Sequence, residues 1–234
     1  MSRLAATLGT DVRLQFRNGF YYAVAFILAI FAFLATQLPD LDWSWWLAPV
    51  IFGNLVTATY FFVGGLVLLE KAEGTLEAQV VTPLRVSEYL GSKVITLTAL
   101  SVVESLALVA LLGGFHYRFD LLVLGVVCAA AIYILLGFLA VARYDSINEY
   151  LMPSMLYVAL LSIPCLSYFE LWTTPLMILH PLQGALVLIQ AAFLPVALGD
   201  YLWALMSAVV WIGIASLLSR RAYRQFVIRV EGVR

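Results

Sequence analysis

The sequence predicts an all-α integral membrane protein with six transmembrane helices, and composition is the first observation behind that prediction. Hydrophobic residues make up 64% of the chain and charged residues only 12%, whereas soluble domains carry about 25% charged residues. The second observation is a series of apolar runs close to the roughly 20 residues that a helix needs to cross a bilayer. The third is a one-sided distribution of positive charge over the connecting segments.

Six apolar runs are candidate spans, and they cover residues 20–37, 45–69, 94–113, 121–141, 152–169 and 201–218. The segment 170–199 between the last two is also apolar, but its prolines split it into pieces shorter than a span. Since unpaired backbone groups are not tolerated in lipid, we expect two re-entrant half-helices here, entering from the outer face. One further full span is the alternative, and it would place the basic C-terminus outside.

The N-terminal segment 1–19 is predicted to form an amphipathic helix at the membrane interface. Leu4, Leu8, Val12 and Phe16 recur every four residues, which puts them on one helical face. A helix of this kind lies on the membrane with its apolar face toward lipid. A frayed cytoplasmic tail is the alternative. Residues 20–234 then form one six-span domain that ends in a tail at 219–234.

The distribution of Lys and Arg predicts the orientation, because positive residues accumulate on the cytoplasmic side of short loops. With the N-terminus inside and six spans, every Lys and Arg except Arg118 falls on the cytoplasmic side. The outer segments carry acidic residues instead, namely Asp40, Asp42, Asp120, Glu170 and Asp200. Both termini and the loop 70–93 are therefore expected in the cytoplasm.

The loop 70–93 is the most polar connection between two spans, and it reads as a docking element. Gly74 permits a sharp turn, and Thr75 is a candidate N-cap for a short helix. That helix can run only over 76–81, because Pro83 restricts the residue before it. Leu76 and Val80 would share one face. The result would be a small apolar knob, and the acidic residues around it would be Glu70, Glu73 and Glu77.

The stretch "EKAEGTLEAQVVTPL" resembles the coupling-helix segment of type-2 ABC transporter permeases, in which Gly-Thr-Leu-Glu and Thr-Pro-Leu recur after the second span. Within that family the chain is similar to small drug-export permeases, including those linked to fluoroquinolone export. Haem-exporter permeases are a more distant likeness. The resemblance implies that the loop contacts an ATPase subunit through Glu70, Glu73, Gly74, Thr75, Leu76, Glu77, Val80, Thr82, Pro83 and Leu84.

The resemblance also implies the partners and the location. A cytoplasmic ABC ATPase would bind ATP and Mg, and a second permease, identical or related, would complete the transport unit in a prokaryotic cell membrane. The chain has no phosphate-binding loop of the form G-x-x-x-x-G-K-[ST], which agrees with ATP binding by a separate subunit. No cofactor, catalytic residue or nucleic-acid partner is expected in this chain, and membrane lipid surrounds it.

Polar residues inside the spans suggest a translocation path. Glu104 lies near the middle of the third span, where an ionisable group costs roughly 2.5 kcal/mol or more and normally faces the bundle interior. Asn54 and Thr57 of the second span are further candidates for the path, although such groups often only join neighbouring helices. A structural carboxylate is the alternative for Glu104. His116 and His180 lack partners at metal-ligand spacing, so no metal site is expected.

Several functions remain open from the sequence. The preferred one is an exporter subunit that moves an amphipathic or hydrophobic small molecule, or a lipid, by alternating access. A stand-alone ion-coupled carrier using Glu104 is the first alternative, although no inverted repeat with paired broken helices is apparent. A haem-exporter-like subunit and a membrane scaffold are others. An intramembrane enzyme is disfavoured because motifs such as H-E-x-x-H and G-x-S-x-G are absent.

Overall fold

A computed structural model describes residues 3–38, 42–76, 85–112 and 117–228, with side chains through residue 225. These residues form helices joined by short turns, and no strand occurs among them. The elements in chain order are α1 (Arg3–Arg17), α2 (Phe20–Gln37), α3 (Trp43–Leu55), a π-helical segment (Val56–Phe61), α4 (Phe62–Ala72), α5 (Val86–Leu112), α6 (Phe119–Val141), α7 (Ile147–Leu161), α8 (Pro164–Tyr168), a 3-10 helix (Pro175–Leu179), α9 (Gln183–Gln190), α10 (Leu198–Ala222) and a second π-helical segment (Tyr223–Ile228).

Six helical stretches of the described chain are long and apolar enough to cross a membrane, which confirms the predicted fold class. They are α2, the continuous rod from α3 through α4, α5, α6, α7 with α8, and α10 with the start of the second π-helical segment. The rod from α3 to α4 contains the first π-helical segment in its middle, where one extra residue per turn rotates the faces before and after it.

The centre of the bundle is α6, most of whose residues are buried. Around it pack α4, α5, α9, α10 and the π-helical segment Val56–Phe61. The outer helices α2, α7 and α10 leave most of their apolar residues uncovered by protein. In a membrane these surfaces are solvated by lipid, which is why a chain this apolar does not need to bury them.

Two glycines allow α9 to lie directly against its neighbours. A Cβ at Gly125 of α6 would stand 2.7 Å from the backbone nitrogen of Ile189, and a Cβ at Gly184 of α9 would stand 2.6 Å from the Ala204 carbonyl oxygen. Close backbone approach through small residues is the usual way in which helices associate where apolar burial alone gives no driving force.

The segment 170–199 contains one short α-helix, α9, rather than two half-helices. Its first piece is the five-residue 3-10 helix Pro175–Leu179, and Pro181 follows shortly after that helix ends. A proline lacks the backbone N–H that a continuing helix needs, so the first piece stops after little more than one turn. Re-entrant placement in a bilayer remains a prediction.

The predicted N-terminal helix forms as α1, and it contacts α5 through polar residues that the sequence pattern did not single out. The residues that pack on α5 are Asp11 and Gln15, which are buried, while Val12 and Phe16 are exposed. Val12 and Phe16 of the apolar stripe therefore point away from the protein, whereas Leu4 and Leu8 are half-buried. The placement of α1 in the membrane interface remains a prediction. Gly19, at φ 80°, turns the chain from α1 into α2.

Helix α5 begins ahead of the apolar run 94–113 that the sequence marks as the third span. The helix starts at Val86, and the carboxylate of Glu88 accepts a hydrogen bond from the Arg85 backbone N–H at 2.8 Å. This is the acidic half of a capping box, in which a side chain near the first turn satisfies a free backbone donor.

Candidate functional site

The sharp turn predicted at Gly74 is present. Gly74 has φ 68°, in the left-handed region, and its N–H donates to the Lys71 carbonyl at 3.1 Å. A left-handed glycine just after a helix is a common C-terminal stop, because only glycine adopts that backbone without strain. The chain leaves α4 in a fixed direction and resumes helical geometry at Thr75 and Leu76.

Two predictions about the start of the loop are wrong, and a third residue makes a contact that was not predicted. The Thr75 hydroxyl donates to the Glu70 carbonyl at 3.0 Å, satisfying one of the last carbonyls of α4; its predicted capping bond would come from residues 77 or 78, which lie outside the described residues, and remains a prediction. Leu76 is fully buried, at 0% exposure, so it belongs to the bundle core and not to an external knob. Glu70 is 1% exposed and therefore does not belong to an exposed acidic ring.

Among the described residues of the predicted acidic ring, Glu73 is the one that remains on the surface. Its Oε1 lies 2.5 Å from Nη2 of Arg17, the last residue of α1, and both side chains are substantially exposed. The other predicted contact residues, Glu77, Val80, Thr82, Pro83 and Leu84, lie outside the described residues. Their helix and their role in docking remain predictions.

Lys71 ties the end of α4 to the end of α6. Its Nζ donates to the carbonyl oxygens of Ala142 at 3.0 Å and Tyr144 at 2.7 Å, and lies 3.2 Å from the carboxylate of Asp145. The last carbonyls of a helix lack partners within the helix, and a cation placed there also offsets the negative end of the helix dipole.

A buried cluster of charges joins α1, α4 and α5. The Lys93 ammonium lies between two carboxylates: it donates to Asp11 Oδ1 at 2.5 Å and also to Glu70 Oε1. The second oxygens are also paired, since Ser92 donates to Asp11 Oδ2 at 2.5 Å and the Tyr89 hydroxyl donates to Glu70 Oε2 at 2.6 Å. We call these five residues, Asp11, Glu70, Tyr89, Ser92 and Lys93, the polar cluster.

The polar cluster extends by one more contact along α1. Gln15, one turn after Asp11, donates to the Thr96 hydroxyl at 2.9 Å, and that hydroxyl donates in turn to the Ser92 carbonyl at 2.9 Å. Burying ions is costly unless every charge is paired and hydrogen-bonded. Here all four carboxylate oxygens have a partner, so the arrangement meets that condition.

Two of the three candidates for a translocation path are brought together. The Asn54 amide donates to Glu104 Oε1 at 2.8 Å, and Glu104 is only 1% exposed. Its second oxygen has no hydrogen-bond partner among the described residues. Thr57 lies in the π-helical segment and is half-buried, and no hydrogen bond in the described chain joins it to either residue.

His180 lies outside the predicted spans and makes two backbone contacts. Its Nε2 is 3.1 Å from the Leu160 carbonyl, and its Nδ1 accepts from the Leu182 N–H at 3.2 Å. Burial lowers the pKa of His180, and the Leu160 contact opposes that shift. Within the described residues no three His, Cys, Asp or Glu side chains come together as a metal centre requires. His116 falls outside those residues.

Comparison with known proteins supplies the family. A model of the fluoroquinolones export permease protein family matches residues 2–231. This chain belongs to that family. Two relatives from Mycobacterium tuberculosis, strains CDC 1551 / Oshkosh and H37Rv, are each described as a fluoroquinolones export permease protein. Each is 32% identical to the chain over 243 aligned residues, which cover 100% of both proteins.

Family membership and the six long helices establish an integral membrane protein of the export permease type, as found in bacteria. The predicted resemblance to drug-export permeases is thereby confirmed.

The polar cluster of this permease was not predicted. Its sequence signal is weak. Glu70 and Lys93 border apolar runs and Asp11 lies in the amphipathic N-terminal segment, and no local pattern pairs these three charges.

Proposed function

We propose that this export permease is the transmembrane subunit of an ATP-driven ABC exporter, and that a separate cytoplasmic ATPase subunit grips the loop 70–93. The observation that supports this most directly is the geometry at Gly74. The residues just before it contact three other parts of the bundle, through Glu70, Lys71 and Glu73. A loop fixed in this way is suited to passing a push from outside into the helices.

The proposed transport unit contains two permease chains and two ATPase subunits, with ATP and Mg bound by the latter. Both termini and the loop 70–93 lie in the cytoplasm in this proposal. The contacts of Lys71 with the end of α6 and of Arg17 with Glu73 place these basic residues at the same end of the bundle as Gly74. Arg118 and Asp120 begin α6 at the opposite end.

The cargo is proposed to be an amphipathic or hydrophobic small molecule or lipid, moved outward by alternating access. Closure of the ATPase pair would push on the loop and shift α4 against α5 and α6. The relatives are named for fluoroquinolones, so a fluoroquinolone is the first cargo to test. The buried Glu104 and its partner Asn54 are the proposed polar contacts along the path.

An ion-coupled carrier is the second candidate, and one observation favours it. Glu104 is a buried carboxylate with one oxygen unpartnered among the described residues, and buried carboxylates of this kind form ion and proton sites in carriers. The two candidates differ in a simple way. A carrier takes up cargo when only an ion gradient is applied, and Glu104→Gln abolishes that uptake. An ATP-driven exporter shows no uptake under the same conditions, with or without the substitution.

The experiment that tests the proposal is co-purification from native membranes followed by transport in proteoliposomes. Val80→Asp places a charge on the predicted apolar knob, and Asp120→Asn alters an exposed residue at the opposite end of the bundle. We expect an ATPase subunit to accompany the wild type and Asp120→Asn, and to be lost from Val80→Asp. A well-folded wild type without an ATPase partner would overturn the proposal.

A further inference from the structure

Both carboxylates of the polar cluster are held by the same turn of α5. One turn of α5 supplies every partner of both carboxylates: Tyr89 contacts Glu70, Ser92 contacts Asp11, and Lys93 contacts both. Asp11 belongs to α1 and Glu70 belongs to α4. Among the described residues, Lys93 is therefore the single buried cation through which α1 and α4 are joined.

The position of Glu70 gives this junction its importance. Glu70 lies in the last turn of α4, one helical turn before the left-handed turn at Gly74. The Thr75 hydroxyl donates back to the Glu70 carbonyl, so the residue is held from both sides of the turn. A displacement of the loop after Gly74 is passed to Glu70 and to the ammonium that it contacts, besides the surface contacts of Lys71 and Glu73.

The contact of α1 with α5 is polar, and this fixes the position of α1 on the bundle. The face of α1 toward α5 buries Asp11 and Gln15, while Val12 and Phe16 stay exposed. Apolar contacts can slide over one another, but a charged hydrogen bond has one geometry, and buried polar groups are best known for fixing register. Gly19, at φ 80°, lies between α1 and α2, so the helix is joined to the first span through a backbone turn.

We propose that Lys93 is a positioning residue for export: it makes α1 follow the displacement of the loop after Gly74, through Asp11 on one side and Glu70 on the other. This inference rests on the proposed function, since it assumes that the loop is pushed by an ATPase subunit. Lys93 is buried, so it acts through the residues around it. Its role is to convert movement of one loop into concerted movement of α1, α4 and α5.

The variant that isolates this role is Asp11→Asn. It keeps the size of the side chain and leaves the opposite charges of Lys93 and Glu70 paired. Only the link to α1 is therefore weakened. Arg13→Gln is the matched control. It removes one charge from an exposed position of the same helix, and Arg13 has no ion pair within the described part of the chain.

The measured quantity is the amount of cargo transported per ATP hydrolysed in proteoliposomes that contain the permease and its ATPase subunit. We expect Asp11→Asn to lower this ratio at least fivefold and Arg13→Gln to change it less than twofold. A merely structural role of Asp11 would lower the yield of complex but not the ratio, because the ratio does not depend on how much protein folds.

A second measurement follows the movement of α1 itself. Spin labels at Thr10→Cys and Asn148→Cys, both exposed positions, are introduced after Cys128→Ala and Cys165→Ala remove the free thiols. We expect the distance between the labels to differ between the nucleotide-free and the ATP-trapped complex, and the difference to be lost in Asp11→Asn. Asp11→Glu, which restores a carboxylate, is expected to recover part of the difference.

The outcomes separate the two proposals. If the wild type shows no ATP-dependent transport, the proposed exporter function fails and the role of Lys93 fails with it. If the wild type transports normally and Asp11→Asn keeps both the ratio and the change in label distance, the role of Lys93 alone is overturned. Equal losses in Asp11→Asn and Arg13→Gln would also overturn it, since α1 would then act through its surface charge.

Discussion

The amide of Asn54 donates a 2.8 Å hydrogen bond to Glu104 Oε1, which joins the last turn of α3 to α5. We expect Asn54→Leu to lower the free energy of unfolding by about 1–3 kcal/mol, because it leaves a buried acceptor without its partner. Unfolding by SDS titration in mixed micelles measures the change.

Glu104→Gln is the comparison for this bond, since its amide oxygen can still accept from Asn54. Its effect on stability is expected to be smaller than that of Asn54→Leu. A larger loss in Glu104→Gln would mean that the ionised carboxylate, and not the hydrogen bond, stabilises the contact.

The cap that Lys71 forms on α6 gives a second prediction. Lys71→Met removes a cation together with the two hydrogen bonds that it donates to the carbonyl oxygens of Ala142 and Tyr144. Hydrogen bonds from charged groups contribute about 1.5–3 kcal/mol, so the free energy of unfolding should fall by that order. The same SDS titration applies.

Asp145→Asn is the control for Lys71. The Asp145 side chain is 85% exposed, and surface ion pairs contribute little, with a median of about 0–1 kcal/mol. Equal effects of the two variants would show that the surface pair, rather than the helix cap, stabilises this end of the bundle.

The close approach of α9 to α6 gives a third prediction. Gly125→Ala would place a methyl group 2.7 Å from the Ile189 backbone nitrogen, and backbone atoms cannot move aside as a flexible side chain does. Overpacking of this kind costs typically about 1–3 kcal/mol. We expect a lower unfolding free energy and a loss of the contact between a cysteine pair engineered across α6 and α9.

Gly213→Ala is the matched control in another transmembrane helix. A Cβ at Gly213 has no atom within 4 Å, so alanine there is expected to stabilise α10 by less than about 1 kcal/mol through its higher helix propensity. Destabilisation at Gly213 as large as at Gly125 would argue against tight packing as the cause.

A pH dependence is expected from His180. Its folded pKa is lowered from the ordinary value of 6.5, so the unfolded state binds the proton more readily than the folded state. The contribution of His180 is then fully present at high pH and is lost as the pH falls from 6.5 through the folded pKa. Protonation of Nδ1 also removes the acceptor used by the Leu182 N–H.

His180→Gln tests this dependence, with unfolding measured in the same micelles at several pH values. The wild type should lose more stability than the variant between neutral pH and pH 5. The prediction fails if both proteins show the same loss over that range, because another group would then cause the acid sensitivity.

Much of the fold could be predicted because it depends on local sequence. Span length and the glycine at position 74 are read from neighbouring residues, and the six long helices of the described chain and the turn at Gly74 agree with them. The broken segment before the last span was recognised from its prolines, although it contains one short α-helix and not two.

The candidate site was less predictable because its contacts join distant parts of the chain. Nothing near Glu70 indicates that Lys93 neutralises it, or that Asp11 of α1 shares the same ammonium. The burial of Leu76 was also not predictable from local sequence, because the path of the chain decides whether a leucine in a polar loop is buried or exposed. Here the turn at Gly74 directs Leu76 into the core.

The junction between Asp11 and Lys93 also has a consequence for the order in which the protein is made. The two residues are 82 positions apart in sequence, and α1 leaves the ribosome long before α5 does. Until the third span is inserted, α1 has no partner for its carboxylate and cannot dock. Helix α1 is therefore synthesised before α5 but reaches its final place only after α5 has been inserted.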